Sequence, residues 1–143
     1  MDKEFIPYEQ ALALKELGFN RRTFATYSTI QNNKWILTPD LSGEGTFSGS
    51  GEGQYPKGSS ACIAPTFSQA FRFFREKYNL NAEPYTTDMG SIEYSFQIRD
   101  LYSEKYVYDN FDGAGSTYTG TFTSFEEAEL ECLKKLIEIV KQK

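Results

Sequence analysis

The chain has no histidine among its 143 residues. That absence removes His-based catalytic triads, His-ligated metal centres and the usual proton carrier near neutral pH, so any acid–base chemistry would fall to carboxylates, Lys, Tyr or Cys. Cysteine is nearly as scarce. Cys62 and Cys132 form no CxxC pair, and two soft ligands without histidine do not complete a zinc site. Two reduced thiols are expected, with Cys132 buried on a helix and a Cys62–Cys132 disulfide as the alternative. Cations are also in deficit: 15 Lys and Arg stand against 20 Asp and Glu, a formal net charge of −5. Neutralising phosphates supplies most non-specific nucleic-acid affinity, so this balance disfavours a protein that wraps nucleic acid. No apolar run reaches membrane-spanning length, and the first residues, Met-Asp-Lys-Glu-Phe-Ile-Pro, are too charged for a signal peptide. A cytoplasmic protein with no membrane contact, no cofactor and no metal is expected.

The length suits one α+β domain spanning 1–143, large enough to bury a core. Aromatic residues make up 16% of the chain, so relatively few aliphatic side chains are needed to fill it. Three helices are signalled. The first runs from Pro7 to about Leu17, with proline at the first helical position and Gly18 as the left-handed residue beyond the end. The second begins at Phe67, where Thr66 and Gln69 have capping-box spacing. Its buried stripe is expected to be Phe67, Ala70, Phe71, Phe74 and Tyr78, ending at Asn79. Phe73 falls off that stripe and is free to meet a second surface or a partner. The third helix has Ser124 and Glu127 as a capping box, acidic residues at its start, lysines toward its end, and a stripe of Phe125, Ala128, Cys132, Leu133, Leu136, Ile137 and Val140.

Aromatic and β-branched runs lie between the helices. Phe24 to Ile30 pairs with Lys34 to Thr38 across Gln31-Asn32-Asn33. Ser91 to Leu101 alternates, placing Ile92, Tyr94, Phe96 and Ile98 on one face, and Lys105 to Tyr108 returns antiparallel to it. Tyr118 to Phe122 adds an edge strand. The expected order is α-β-β-α-β-β-(β)-α, with an antiparallel sheet of about four to five strands and helices mainly on one face. Gln10-Ala11-Leu12 and Gln69-Ala70-Phe71 give a faint internal echo, which shared capping and amphipathic needs explain without a duplication.

Leu41 to Ser60 departs from this pattern. It holds six of the eleven glycines, and its only large apolar groups are Phe47 and Tyr55. Loops of this length in a domain are functional or disordered. It is not a nucleotide cradle: a Walker loop requires Gly-Lys-Ser/Thr, whereas Lys57 precedes Gly58, and Gly43-Glu44-Gly45 is not followed by glycine in dinucleotide register. The stretch reads as a loop inserted at about 41–60 that can be deleted without loss of the fold. Its functional alternative is a ligand or partner loop anchored by Phe47 and Tyr55.

Other constellations are weaker. Arg72 and Arg75 form a local basic patch able to receive a phosphate or an acidic partner, although Arg72 also suits an i,i+4 pair with Glu76. Asp109 and Asp112 sit at loosely calcium-like spacing, but Phe111 occupies a ligand position. The tyrosines of the second half are read as packing groups, since base-stacking sheets combine an aromatic signature with basic surroundings.

Three segments, Glu4 to Phe19, Ala64 to Tyr78 and Ser124 to Lys141, together resemble a group of small uncharacterised proteins of gut Bacteroidales and their phages. The resemblance covers about a third of the chain. It implies a phage or mobile-element setting and a bacterial host cytoplasm, and it brings no activity and no functional residues. The resulting expectation is a non-enzymatic binding protein, a phage accessory factor that engages a host protein or sequesters a small ligand through Phe47, Tyr55, Phe73, Arg72 and Arg75. The alternative is nucleotide or nucleic-acid binding through a local Arg/Tyr surface. No residue is assigned a catalytic role, and the oligomeric state is left open.

Overall fold

The computed structural model describes residues 2–40, 60–88, 90–110 and 120–143. The protein is α+β, with three α-helices and two three-stranded antiparallel sheets among the described residues. The chain falls into two compact units, Met1–Ala70 and Phe71–Lys143.

In the first unit a short 3-10 helix, Asp2–Glu4, precedes α1, Tyr8–Glu16. Pro7 stands just outside α1 with extended backbone, one position earlier than its sequence role predicts. The other end follows the glycine logic closely. Gly18 is left-handed at φ 87, and Phe19 N–H reaches Leu14 O at 2.9 Å while Gly18 N–H reaches Lys15 O at 3.0 Å. This paired closure satisfies the last helical carbonyls. It also turns the chain so that Leu14 and Phe19 are both buried.

Strands β1, Ala25–Gln31, and β2, Lys34–Pro39, form a hairpin. Asn32 and Asn33 both have positive φ, 50 and 59, the backbone a two-residue turn needs to match strand twist. The bulge falls between Tyr27 and Thr29. Strand β3, Cys62–Ile63, then pairs with β1 on the side opposite β2, giving the order β2-β1-β3. Isolated pairing of Phe5 with Thr66 extends this edge. The core here includes Ile6, Leu14, Phe19, Ala25, Cys62 and Ile63. Tyr27 is buried with its hydroxyl donated to Ile6 O at 2.8 Å, so the ring is packed without an orphaned polar group.

Helix α2, Phe67–Tyr78, begins at the expected reciprocal cap: Thr66 N–H donates to Gln69 Oε1 at 3.0 Å and Gln69 N–H to Thr66 Oγ1 at 3.2 Å. It ends at left-handed Asn79, φ 57. Its buried arc differs from the sequence expectation. Phe67, Ala70, Phe73 and Phe74 are buried, whereas Phe71 and Tyr78 are only partly covered. At about 100° per residue, exchanging Phe71 for Phe73 rotates the buried stripe around the helix.

The second unit continues with a meander of β4, Leu80–Asp88, β5, Ile92–Asp100, and β6, Lys105–Asp109. The long β4–β5 ladder runs from Leu80 opposite Asp100 to Asp88 opposite Ile92. Helix α3, Phe125–Lys141, packs across β4 and β5. Its Ser124 cap accepts Glu127 N–H at 3.2 Å. The predicted stripe is buried except for Phe125, which is 42% exposed and sets its ring edge against Tyr94. Phe122 bridges to Tyr94 by two backbone bonds of 3.0 and 2.7 Å; Tyr118 and Thr119 of that expected edge strand lie outside the described residues. The order of the second sheet, with its middle strand second in sequence, differs from β2-β1-β3. The internal echo therefore does not extend to sheet topology.

Candidate functional site

Among the described residues, those singled out from the sequence do not form one site. Phe47 and Tyr55 lie outside the described residues. Phe73 is corrected from a partner-facing ring to a buried one, 4% exposed. It packs edge-on against Phe74 and Tyr78, with Lys77 Nζ 5.4 Å from its ring centre. Arg72 and Arg75 are exposed, but Arg72 donates Nε to Glu76 at 2.7 Å. That hydrogen bond and charge hold the Arg72 proton more tightly than usual. The positive patch is thus partly neutralised from within its own helix.

Neither cysteine is poised as a nucleophile. Both are free and buried. Burial pushes the Cys62 thiol up to about 11, offset only in part by Lys15. Burial and then Glu129 push Cys132 higher still. A reactive cysteine has the opposite shift, toward thiolate. Among the described residues no group of three or more Cys, Asp or Glu side chains is arranged to hold a metal ion.

The most organised polar surface lies on the second sheet. Strand alternation puts Leu80, Ala82, Phe96 and Ile98 on the face toward α3. The intervening Asn81, Glu83, Tyr85, Gln97 and Arg99 therefore share the other face, where Tyr106 and Asp109 of β6 join them by register. Glu83 is the hub. Its Oε1 accepts from Asn81 Nδ2 at 3.1 Å and its Oε2 from Gln97 Nε2 at 2.8 Å. Arg99 Nε lies 3.2 Å from Glu83 Oε1, off the hydrogen-bond line, so this contact is electrostatic rather than a directed bond. The guanidinium also covers the Tyr106 ring at 4.5 Å and donates to its hydroxyl. Tyr85 donates to Asp109 Oδ1 at 3.4 Å.

Beside this face, the β5–β6 turn projects large apolar groups. Asp100 Oδ1 accepts the Tyr102 and Ser103 amides at 2.8 and 3.2 Å, and Glu104 closes the turn with φ 58. The side-chain acceptor fixes the turn locally. It holds Tyr102 out at 90% exposure, next to exposed Leu101, Tyr106 and Val107. A shift in pairing between Ile98 and Arg99 breaks the regular ladder at β6.

Sequence reading missed this surface because it missed β4. Pro84 interrupts the run and argues against a central strand; β4 is at the sheet edge, where proline is tolerated. The alternation of Leu80, Ala82 and Pro84 with Asn81, Glu83 and Tyr85 was the available signal.

No family model matches the chain, no curated protein matches it, and no solved structure matches it. No helix among the described residues is long and apolar enough to cross a membrane.

Proposed function

We propose that this is a non-enzymatic binding protein that recognises a protein partner through the polar face of the second sheet and the adjoining β5–β6 turn. The observation carrying this reading is the exposed group of Leu101, Tyr102, Tyr106 and Val107 beside a hydrogen-bonded polar platform. Large exposed rings next to ordered polar groups are the composition of protein interfaces, where tyrosine anchors are enriched and supply contact area at small entropic cost. The carboxylates of Glu83, Asp100, Glu104 and Asp109 on and around this surface favour a partner bearing Lys or Arg and oppose phosphate. The resemblance of the three helical segments adds a phage accessory role in a host cytoplasm, with a host protein as the partner.

The test is affinity capture from host lysate with the wild-type chain and with Tyr102→Ser/Tyr106→Ser. Selective loss of a protein captured by wild type, with circular dichroism unchanged, supports the assignment. Capture of the same proteins in the same amounts by both would overturn it. A gel shift that weakens steeply with salt would instead favour the nucleic-acid reading, and loss of that shift in Arg72→Ala/Arg75→Ala would place it on α2.

A further inference from the structure

Helix α3 carries Glu131, Lys134, Lys135 and Glu138 at i, i+3, i+4 and i+7, the spacing that normally builds an apolar stripe. Here two lysines flanked by two glutamates border a cleft of about 210 Å³. Its floor is aromatic. Phe96 stacks on Tyr108 at 5.7 Å and on Phe122 at 6.2 Å, with interplanar angles of 27° and 15°. The far wall is fixed by Asn110, which accepts from the Tyr108 hydroxyl at 3.1 Å and donates to Gly120 O at 2.8 Å. Ser95 donates to the same carbonyl at 2.6 Å.

The mouth is held by exchangeable contacts. Lys134 pairs with Glu131 at 2.6 Å and Lys135 with Glu138 at 2.8 Å. Lys135 Nζ also lies 4.6 Å from the Tyr108 ring centre. Solvent-accessible pairs of this kind are worth about 0–1 kcal/mol, so a ligand carrying both charges can exchange with them at little net cost, its anion shared by the two lysines and its cation by the two glutamates. A ligand with only a carboxylate would leave Glu131 and Glu138 without a counter-charge, and one with only an ammonium would leave Lys134 and Lys135 so.

We propose that this cleft binds a free α-amino acid with an apolar or aromatic side chain. Its carboxylate lies between Lys134 and Lys135, its ammonium meets Glu131 and Glu138, and its side chain rests on the Phe122 and Tyr108 rings. The size agrees, since drug-sized sites run from roughly 300 Å³ upward and this cleft is smaller. This site is independent of the partner surface proposed above.

Isothermal titration calorimetry of the intact chain with L-phenylalanine, 3-phenylpropionate and 2-phenylethylamine tests the proposal. Saturable binding of L-phenylalanine with a Kd of about 1 mM or tighter, and at least about tenfold weaker binding of both single-charge analogues, is expected. Lys134→Gln/Lys135→Gln, which keeps good helix formers at both positions, should weaken the amino acid by a similar factor. Amide shift changes on titration should centre on residues 131–138 and Tyr108. Equal binding of all three compounds, no saturable binding of the amino acid, or shift changes confined elsewhere would each overturn it.

Discussion

Replacing Arg99 by Met removes three contacts at once and leaves the rest of the sheet face in place. The ion pair to Glu83 at 3.2 Å involves side chains 37% and 24% exposed, so solvent screening keeps it near about 0.2–1 kcal/mol. The guanidinium over Tyr106 at 4.5 Å adds about 0.5–1 kcal/mol at an accessible site. The bond donated to the Tyr106 hydroxyl contributes about 0.5–1.5 kcal/mol. Glu83 is not orphaned by the change, because Asn81 and Gln97 still donate to it, so no large desolvation penalty is added. Arg99→Met should therefore lower stability by about 1–3 kcal/mol, visible in urea unfolding as a lower midpoint with unchanged slope. Arg99→Lys should recover less than half, since it restores charge but not the planar stacked fork. Added salt should narrow the gap only slightly, because only the ion pair is screened. Full rescue by lysine, or a methionine variant within about 0.5 kcal/mol of wild type as for an ordinary surface change, would refute the reasoning.

Other perturbations have equally definite outcomes. Gly18→Ala places a Cβ at φ 87 and should cost about 1–2 kcal/mol in urea unfolding; an unchanged midpoint would mean the closure of α1 does not depend on the left-handed residue. Ser124→Ala removes the acceptor for Glu127 N–H and should lower stability by about 1 kcal/mol, with Ser124→Asp restoring it. Cys62 has its ordinary value of 9.0 raised to about 11 in the fold, so the folded state holds this proton more tightly than the unfolded chain. Its contribution is fully present below 9.0 and is lost as pH rises through about 11. The Cys62→Ala variant should accordingly show a shallower loss of stability across that alkaline window than wild type; parallel curves would contradict the assigned shift.

The helices were legible because their boundaries are local chemistry. Thr66 with Gln69, Ser124 with Glu127, and Gly18 followed by Phe19 each satisfy backbone groups within a few residues, and the structure uses them in those roles. The Asn32-Asn33 turn was readable for the same reason. What failed to show depends on distant neighbours. Strand β3 is two residues long and exists because Thr26 and Tyr27 supply its partners, so no periodicity could announce it. Phe73 is buried because the tertiary surroundings cover an arc of α2 rotated from the one that its most regular aromatic spacing marks. The polar face required β4 and its register against β5; without Glu83 placed between Gln97 and Arg99, the tyrosines read only as packing groups.

The order β2-β1-β3 has a consequence for the stretch from 41 to 60. Pro39 ends β2 beside Ala25, while Cys62 begins β3 beside Tyr27, on opposite sides of the same strand. The two strands are parallel and separated by β1, a gap of about 9–10 Å from strand spacing alone. Complete deletion would therefore detach β3 from β1 rather than leave the sheet intact, and only partial shortening is compatible with this topology. A single protease cut in that stretch has a different outcome. The two pieces would remain joined through β1–β3 pairing, the Ile6 N–H to Pro65 O bond of 3.0 Å and the Gln69 contact to Arg22 O at 3.0 Å. The protein should then migrate as two fragments after denaturation and as one species before it.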